Sequence, residues 1–348
     1  MIRNNTRWLG IGFGFLAVVL ALLFTSLVLL LVNADPIAAY SNILVGSFGS
    51  VTKLAETLVA WVPLVLVTSG LLITFTAGMW NIGVEGQITL GAIFATMILR
   101  MLQPTDVPPW VAIALCMVAG AVGGGLWALL AGALKVFGGV NEIFSGLGLN
   151  FVATAITLWL IFGPWKRPGV GSMSGTEPFD RALWLPVLPG LRISAWSLVI
   201  ALIGLVIVFL ILQGTYFGLK LKAVGKNPRS AFILGIPTVR YTLLAFILCG
   251  AFAGVAGSLQ VTAVYHRLIP SISSGYGFLG LLVAMLVNYQ PIWAALVAFG
   301  FAALNIGSIQ LPIVLKLDST LSGVLQGALV LFVMMMDGVR RRFIQKAS

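Results

Sequence analysis

The sequence predicts an all-α polytopic membrane protein of about ten transmembrane helices, built as one permease-like domain over residues 1–348, and three observations predict it. Hydrophobic residues make up 60% of the chain and charged residues only 8%, whereas a soluble domain carries roughly 25% charged residues. The apolar residues fall in long unbroken runs, most of them long enough to cross a hydrocarbon layer about 30 Å thick. Charge falls mostly in the interruptions and at the ends of the runs, and across the chain Lys and Arg outnumber Asp and Glu by 20 to 9.

That basic excess does not describe a nucleic-acid binder. The cations sit at the ends of apolar runs and form no stripe interleaved with aromatics, so lipid headgroups and the positive-inside bias account for them better. The lipid bilayer is therefore an expected partner and nucleic acid is not. Cys116 and Cys249 lie in separate apolar runs without paired spacing, which argues against both a disulfide framework and a metal site.

In chain order, Arg3 and Arg7 precede an apolar run from Trp8 to Val32. It is too long for a signal-peptide core of about 7–15 residues, so it reads as a first span with its N-terminus inside. Asn33–Glu56 is then an outer connection. Thr57–Ala77, interrupted by Pro63, is joined to Ile88–Met101 by the polar turn GMWNIGVEGQ, Gly78–Gln87. Trp110–Val136 and Ile143–Phe162 follow as the fourth and fifth spans. Pro164–Ser194 is a long outer connection whose Trp165 and Trp184 suit a membrane interface. The remaining runs are Ala195–Leu212, Thr242–Val264, the short Phe278–Val287, Pro291–Ile309 and Leu321–Met336. Ten crossings put both termini in the cytoplasm. Arg3, Arg7, Lys135, the loop cations and Arg340–Arg342 then lie inside, against Lys53, Arg100, Lys166, Arg167, Arg181, Arg192, Arg267 and Lys316 outside.

The longest strongly basic interruption is Thr215–Tyr241, with Lys220, Lys222, Lys226, Arg229 and Arg240 and no acid. Such a loop faces the cytoplasm. Within it Asn227 is a good N-cap, Pro228 suits the first helical position, Gly235 can take a left-handed C-terminal conformation and Pro237 forbids continuation. These residues bracket a two-turn helix, Arg229–Leu234, whose Phe232 and Leu234 suit a partner's groove. The plainer reading is a short helix lying on anionic headgroups.

Glu85 is the sharpest anomaly, because a carboxylate at mid-membrane costs about 2.5–3.5 kcal/mol even on insertion scales. Asn81 and Gln87 are candidate partners, and Gly83 and Gly86 let the backbone unwind. Either this turn is a broken helix lining a translocation path, or it lies at the cytoplasmic surface with Glu85 solvated. Gly86–Ala95 and Gly277–Ala284 each begin a short apolar helix after a glycine-containing turn, an echo of the paired broken helices of repeat-built transporters. Glu142 beside Asn141 favours a helix N-terminus. Asn150, Thr154 and Thr157 share one face of the fifth span, and Asn288, Asn305, Ser308, Gln310 and Gln326 add polar groups later. Singly these residues serve as interhelical glue, and together they can line a path for a polar, uncharged solute. Gly120 with Gly124, and Gly250 with Gly254, allow close helix packing. Asp337 can pair with Arg340 and Arg341, and His266 reads as a surface residue. The phosphate-binding GxxxxGK[ST], HExxH and GxSxG patterns are all lacking, so any ATP driving transport binds another subunit.

Several stretches in order resemble the permease subunits of ABC importers for nucleosides and simple sugars. They are WNIGVEGQITLGA (Trp80–Ala92), NEIFSGLGLNFVA (Asn141–Ala153), LKAVGKNPRSAFILGI (Leu221–Ile236), YTLLAFILCGAFAGVAGSLQV (Tyr241–Val261) and SSGYGFLGLLVAML (Ser273–Leu286). The chain looks most like the larger permease of bacterial nucleoside importers, departing from the common pattern at Leu279 and Gly146–Leu149. The resemblance implies a type II importer fold in the bacterial cytoplasmic membrane and a second permease subunit, forming a heterodimer. It also implies an extracytoplasmic substrate-binding protein or lipoprotein, and a cytoplasmic ABC ATPase that carries ATP and magnesium, so this chain itself is no enzyme and needs no cofactor. It maps ATPase coupling onto Gly225, Asn227, Pro228, Arg229 and Gly235, with Phe232 on the same short helix, and nucleosides are the expected cargo. The substrate path is expected at Asn81, Glu85, Gln87, Asn150, Thr154, Asn288 and Asn305. Rival readings are a simple-sugar importer of the same class, an ion-coupled carrier using Glu85 for protons, and a scaffold with no pathway.

Overall fold

In a computed structural model, described over residues 2–169, 175–287, 290–318 and 320–347, every regular element is helical. Among the described residues seven helical stretches are long and apolar enough to span a bilayer, eight if one bent pair counts as a single span. Two shorter apolar helices, Tyr276–Leu286 and Gly323–Met336, complete the set. Each of the ten expected runs coincides with one of these stretches.

The contacts divide the helices into two compact units, residues 1–57 with 299–348 and residues 58–298. In the first unit α1 (Ile2–Leu31) is followed by α2 (Pro36–Phe48), bent away by 112°. The expected outer connection is thus largely helical. Asp35 caps α2 by accepting from the Ile37 amide at 2.9 Å, and Pro36 starts the first turn, the local signals that turn an apolar stretch into a helix. Late in the chain the second half of α12 (Pro291–Gly307), the short α13 (Gln310–Val314) and α14 (Leu321–Ala347) follow. Phe24 of α1 meets Phe332 of α14 with ring centroids 5.9 Å apart. Leu29, Ala34, Ala39, Ile43 and Leu311 form this unit's core. The side chains of Asp337, Arg340 and Arg341 lie outside the described residues.

The larger unit is built on α3 (Val51–Thr76), α4 (Val84–Leu102), α5 (Pro109–Val136), α6 (Glu142–Phe162), α7 (Ala195–Gly214) and α10 (Thr238–Leu259), the last continued by a π-helical turn, Gln260–Val264. Pro63 does not interrupt α3, which runs through it, since a single missing donor is tolerated inside a long apolar helix. α4, α5 and α10 pack backbone to backbone. Gly120 and Gly124 of α5 lie against Gly250 and Gly254 of α10, and Gly91 of α4 also approaches Gly254. A Cβ placed on Gly124 would lie 2.8 Å from the Gly254 Cα, so only glycine permits this crossing. Lys135 and Glu142 bridge the end of α5 and the start of α6 at 2.7 Å, across a turn in which Gly139 has φ +65°.

The basic interruption at 215–241 is not a loop but two helices, α8 (Tyr216–Lys226) and α9 (Pro228–Ile233). Thr215 caps α8 by accepting from the Gly218 amide at 3.1 Å. Gly218, Leu221 and Val224 form its buried face, which leaves Lys220 and Lys226 exposed, while the half-buried Lys222 donates to the Gln213 side-chain carbonyl at 3.2 Å.

Residues 176–185, part of the long connection before α7, bond to the π turn and the segment that follows it. The Thr176, Phe179 and Leu185 amides donate to the carbonyls of Leu268, His266 and Thr262 at 2.9–3.0 Å. Trp184 donates to the Phe179 carbonyl and stacks on His266 with centroids 3.7 Å apart and planes 8° from parallel. His266 is therefore packed into a cap, contrary to the expectation of a surface residue, because a stacking partner 82 positions earlier in the chain covers its ring.

Candidate functional site

The turn 78–87 is shaped by its own side chains. Asn81 and Gln87 exchange two amide hydrogen bonds, both 2.9 Å, and the Asn81 amide also reaches the Cys249 sulfur at 3.1 Å. Both residues are buried, at 1% and 0% exposure. A reciprocal amide pair leaves neither side chain free for a solute, so these two hold the turn instead of lining an opening. The helix restarts at Val84, ahead of the expected Ile88.

Asn150 fastens this turn to α6. Its Oδ1 accepts from the Gly86 amide at 2.8 Å, and its Nδ2 donates to the Ile82 carbonyl at 3.0 Å. Both bonds require close approach, which glycines supply: a Cβ on Gly83 would lie 3.1 Å from the Gly146 Cα. Gly146 therefore seats α6 on the turn.

Glu85 points the other way, toward α11 (Tyr276–Leu286). Its two carboxylate oxygens accept from the backbone amides of Gly275 at 3.1 Å and Gly277 at 2.7 Å. Gly275 is left-handed at φ +74°, a conformation that costs a residue with a Cβ. The first four amides of a helix have no partner within it, and Glu85 supplies one for two amides at this start. The two half-helix starts echoed in the sequence thus meet through a carboxylate.

Beside this junction opens a cleft of about 350 Å³, lined by Glu85, Thr89, Leu147, Asn150, Phe151 and Thr154 on one side. Pro270, Ser271, Ser273, Ser274, Gly275 and Phe278 line the other. Of the seven residues expected on the path, the structure brings Glu85, Asn150 and Thr154 together here. Asn81 and Gln87 lie behind them, and Asn288 falls outside the described residues. Asn305 belongs to the other compact unit, where its carbonyl accepts from Ser308. Phe151, Phe278 and the three serines were not singled out from the sequence. The signal was the cluster Ser271–Ser274 directly before a short apolar helix. The lining offers hydroxyls, one amide, two phenyl rings and one charged group, already engaged.

The residues expected to couple to an ATPase lie beyond the opposite end of the same turn, where Gly225 meets Gly78. Asn227 accepts from the Ser230 amide at 3.1 Å, Pro228 opens α9 and Gly235 has φ +79°. The helix is displaced by one residue from the expected Arg229–Leu234. Phe232, Ile233 and Leu234 are 68–83% exposed, beside an exposed Arg229. Gly225 at the end of α8 lies against the end of α3, where its Cβ would be 3.0 Å from the Gly78 amide nitrogen. One backbone contact therefore joins the basic helix pair to the turn that carries Asn81 and Glu85.

The chain is similar to several characterised transport proteins. It is 29% identical over 349 aligned positions to the glucose ABC transporter permease protein TsgB13 of Haloferax volcanii, covering 97% of this chain and 91% of that one. It is 28% identical over 316 positions to the nucleoside ABC transporter permease protein NupB of Lactococcus lactis, covering 88% and 85%. The guanosine ABC transporter permease protein NupP of Bacillus subtilis is 26% identical over 324 positions, covering 91% of both. The sequence pattern of the family described as branched-chain amino acid transport system / permease component matches residues 53–334, so this chain belongs to that family: it is a permease subunit of an ABC transporter, a transport component and not an enzyme.

Proposed function

We propose that this permease imports nucleosides, with the cleft between α4, α6 and α11 as its contribution to the translocation path. The supporting observation is the composition of that cleft. Two phenyl rings, Phe151 and Phe278, stand beside the hydroxyls of Thr89, Thr154, Ser271 and Ser274, a lining suited to a solute with one flat apolar face and a hydroxyl rim. Nucleosides have both. Two of the relatives above are named for nucleoside or guanosine transport. The relative named for glucose keeps a simple sugar as the second reading, since the hydroxyl side of the cleft suits either cargo. A proton-carrying role for Glu85 has little support, because both of its oxygens already accept backbone bonds.

In this reading α9 docks on a cytoplasmic ABC ATPase, which binds the ATP and magnesium. Its exposed Phe232, Ile233 and Leu234 enter a groove of that partner, and Arg229 faces an acidic rim. Closure of the ATPase displaces α8 and α9, and the Gly225–Gly78 contact passes the movement to the turn that holds Glu85 and Asn150. A second, different permease subunit completes the path, and an extracytoplasmic binding protein or lipoprotein delivers the solute. The chain sits in the cytoplasmic membrane of a bacterium with both termini in the cytoplasm.

Uptake of radiolabelled guanosine, uridine, ribose and glucose into vesicles carrying the intact importer tests the cargo. ATP-dependent nucleoside uptake unaffected by excess ribose or glucose is the expected result. Uptake of sugars alone would overturn the nucleoside reading and leave the second standing.

A further inference from the structure

We propose that Glu85 is a specificity-determining residue that closes the path to phosphorylated solutes, by occupying with its own carboxylate the paired amides that would otherwise grip a solute anion. The inference rests on reading the cleft as the path. A helix start presents unpaired N–H groups and the positive end of the helix dipole, the arrangement that phosphate groups commonly occupy. Here the amides of Gly275 and Gly277 converge on one point beside the cleft, and a carboxylate from another helix already fills it at 3.1 and 2.7 Å.

The surroundings favour this arrangement over an ordinary cap. Glu85 comes from α4, some 190 positions from the amides it holds, and Gly277 admits it only because it lacks a side chain: a Cβ there would lie 2.8 Å from the Glu85 backbone nitrogen. Among the described residues no Lys, Arg or His lines the cleft, and Glu85 is the one charged side chain there. An entering phosphate monoester therefore meets a filled amide pair and a like charge, with no cation to offset the loss of its hydration. A neutral solute gives up only hydroxyl hydration, which the serine and threonine hydroxyls replace. The discrimination comes from a repulsive element fixed in the wall, as specific sites commonly arrange it.

The test uses the purified importer complex and inorganic phosphate as the probe. Melting temperature is measured in phosphate and in chloride at matched ionic strength, for wild type, Glu85→Ala and Glu85→Gln. Removing the carboxylate frees both amides, so Glu85→Ala is expected to gain a saturable rise of roughly 2–4 °C at tenfold above half-saturation, while wild type shows none. Glu85→Gln keeps one acceptor and is expected to fall between them. A phosphate response that is equal in wild type and Glu85→Ala, or absent from both, overturns the proposal. Failure of both variants to assemble, even with acetate present to fill the vacated amides, also overturns it by making Glu85 a purely structural cap. The readout involves no nucleoside, so a cargo that turns out to be a sugar changes the proposed function without touching this result.

Discussion

Replacing Asn150 with alanine tests whether α6 holds the 82–86 turn in place. The substitution removes the acceptor for the Gly86 amide and the donor to the Ile82 carbonyl, at 2.8 and 3.0 Å. Gly86 is fully enclosed and water cannot take over its amide. Each backbone group left unpaired costs about 1–3 kcal/mol, and Ile82 is only half-buried, so the sum falls near 2–4 kcal/mol. At about 2–4 °C per kcal/mol for a large domain, Asn150→Ala is expected to melt roughly 5–10 °C below wild type and to take up solute poorly. Thr154→Val is the matched control. Its hydroxyl bonds only the Asn150 carbonyl of its own helix, at 3.0 Å, so stability should hold while cargo affinity changes. Differential scanning fluorimetry of the purified complex, paired with vesicle uptake, reads both quantities. Melting of Asn150→Ala within about 1 °C of wild type would refute the claim that these two bonds seat the turn.

Phe232→Asp puts a charge on the exposed apolar tip of α9 and should leave insertion and melting unchanged while uptake falls at least tenfold relative to ATP hydrolysis; equal uptake would remove α9 from the coupling interface. Gly124→Ala places a methyl group 2.8 Å from the Gly254 Cα and should cost about 1–3 kcal/mol by overpacking, whereas Gly148→Ala, whose Cβ meets nothing within 4 Å, should be neutral or slightly stabilising; the same melting point for both would sink the glycine-crossing account. His266 titrates below its usual value because burial disfavours the imidazolium, partly offset by its bond to the Thr262 carbonyl. The folded state then binds fewer protons than the unfolded chain below about pH 6.5. Stability should be complete above that pH and decline as pH falls through the lowered value, so wild type should lose more melting temperature between about pH 7.5 and pH 5 than His266→Phe, which keeps the stack on Trp184. Equal losses would show that this ring does not titrate in the window.

Helix content and most of the spans were legible because hydropathy reports them directly, and the short helix after Asn227 was legible because capping chemistry is local. The start of α4 was misplaced by four residues, since Glu85 and Gln87 look like turn residues until their partners are known. Those partners come from opposite directions: Asn81, six residues back, holds Gln87, whereas Gly275 and Gly277, about 190 residues on, hold Glu85. The first pairing could have been read from NIGVEGQ itself. The second depends on which helix start comes to rest beside α4, and pattern alone does not determine that. Phe151 and Phe278 were overlooked for a related reason. Phenylalanine in an apolar helix faces lipid, a neighbour or a cleft with equal ease, and only the arrangement of three helices decides among them.

The position of Gly225 bears most directly on how a movement at α9 would reach the cleft. Force travels through a contact only where the two sides cannot slip past each other, and a side-chain contact between long apolar residues slips readily by changing rotamer. Gly225 and Gly78 meet backbone to backbone at the ends of α8 and α3, with no side chain between them to absorb displacement. Three residues past Gly78, Asn81 is locked to Gln87, and four residues further along Glu85 is locked to α11. A push on α8 therefore loads a chain of backbone and doubly hydrogen-bonded contacts as far as the cleft wall. Gly225→Ala inserts a methyl group into the first of these contacts and should force α8 off the turn. Transport should fall with little change in ATP hydrolysis, the same signature as Phe232→Asp but produced inside the permease. If both variants uncouple and their combination is no worse than either alone, the two positions act on one route. Additive losses would mean that α9 reaches the cleft by a path that bypasses Gly78.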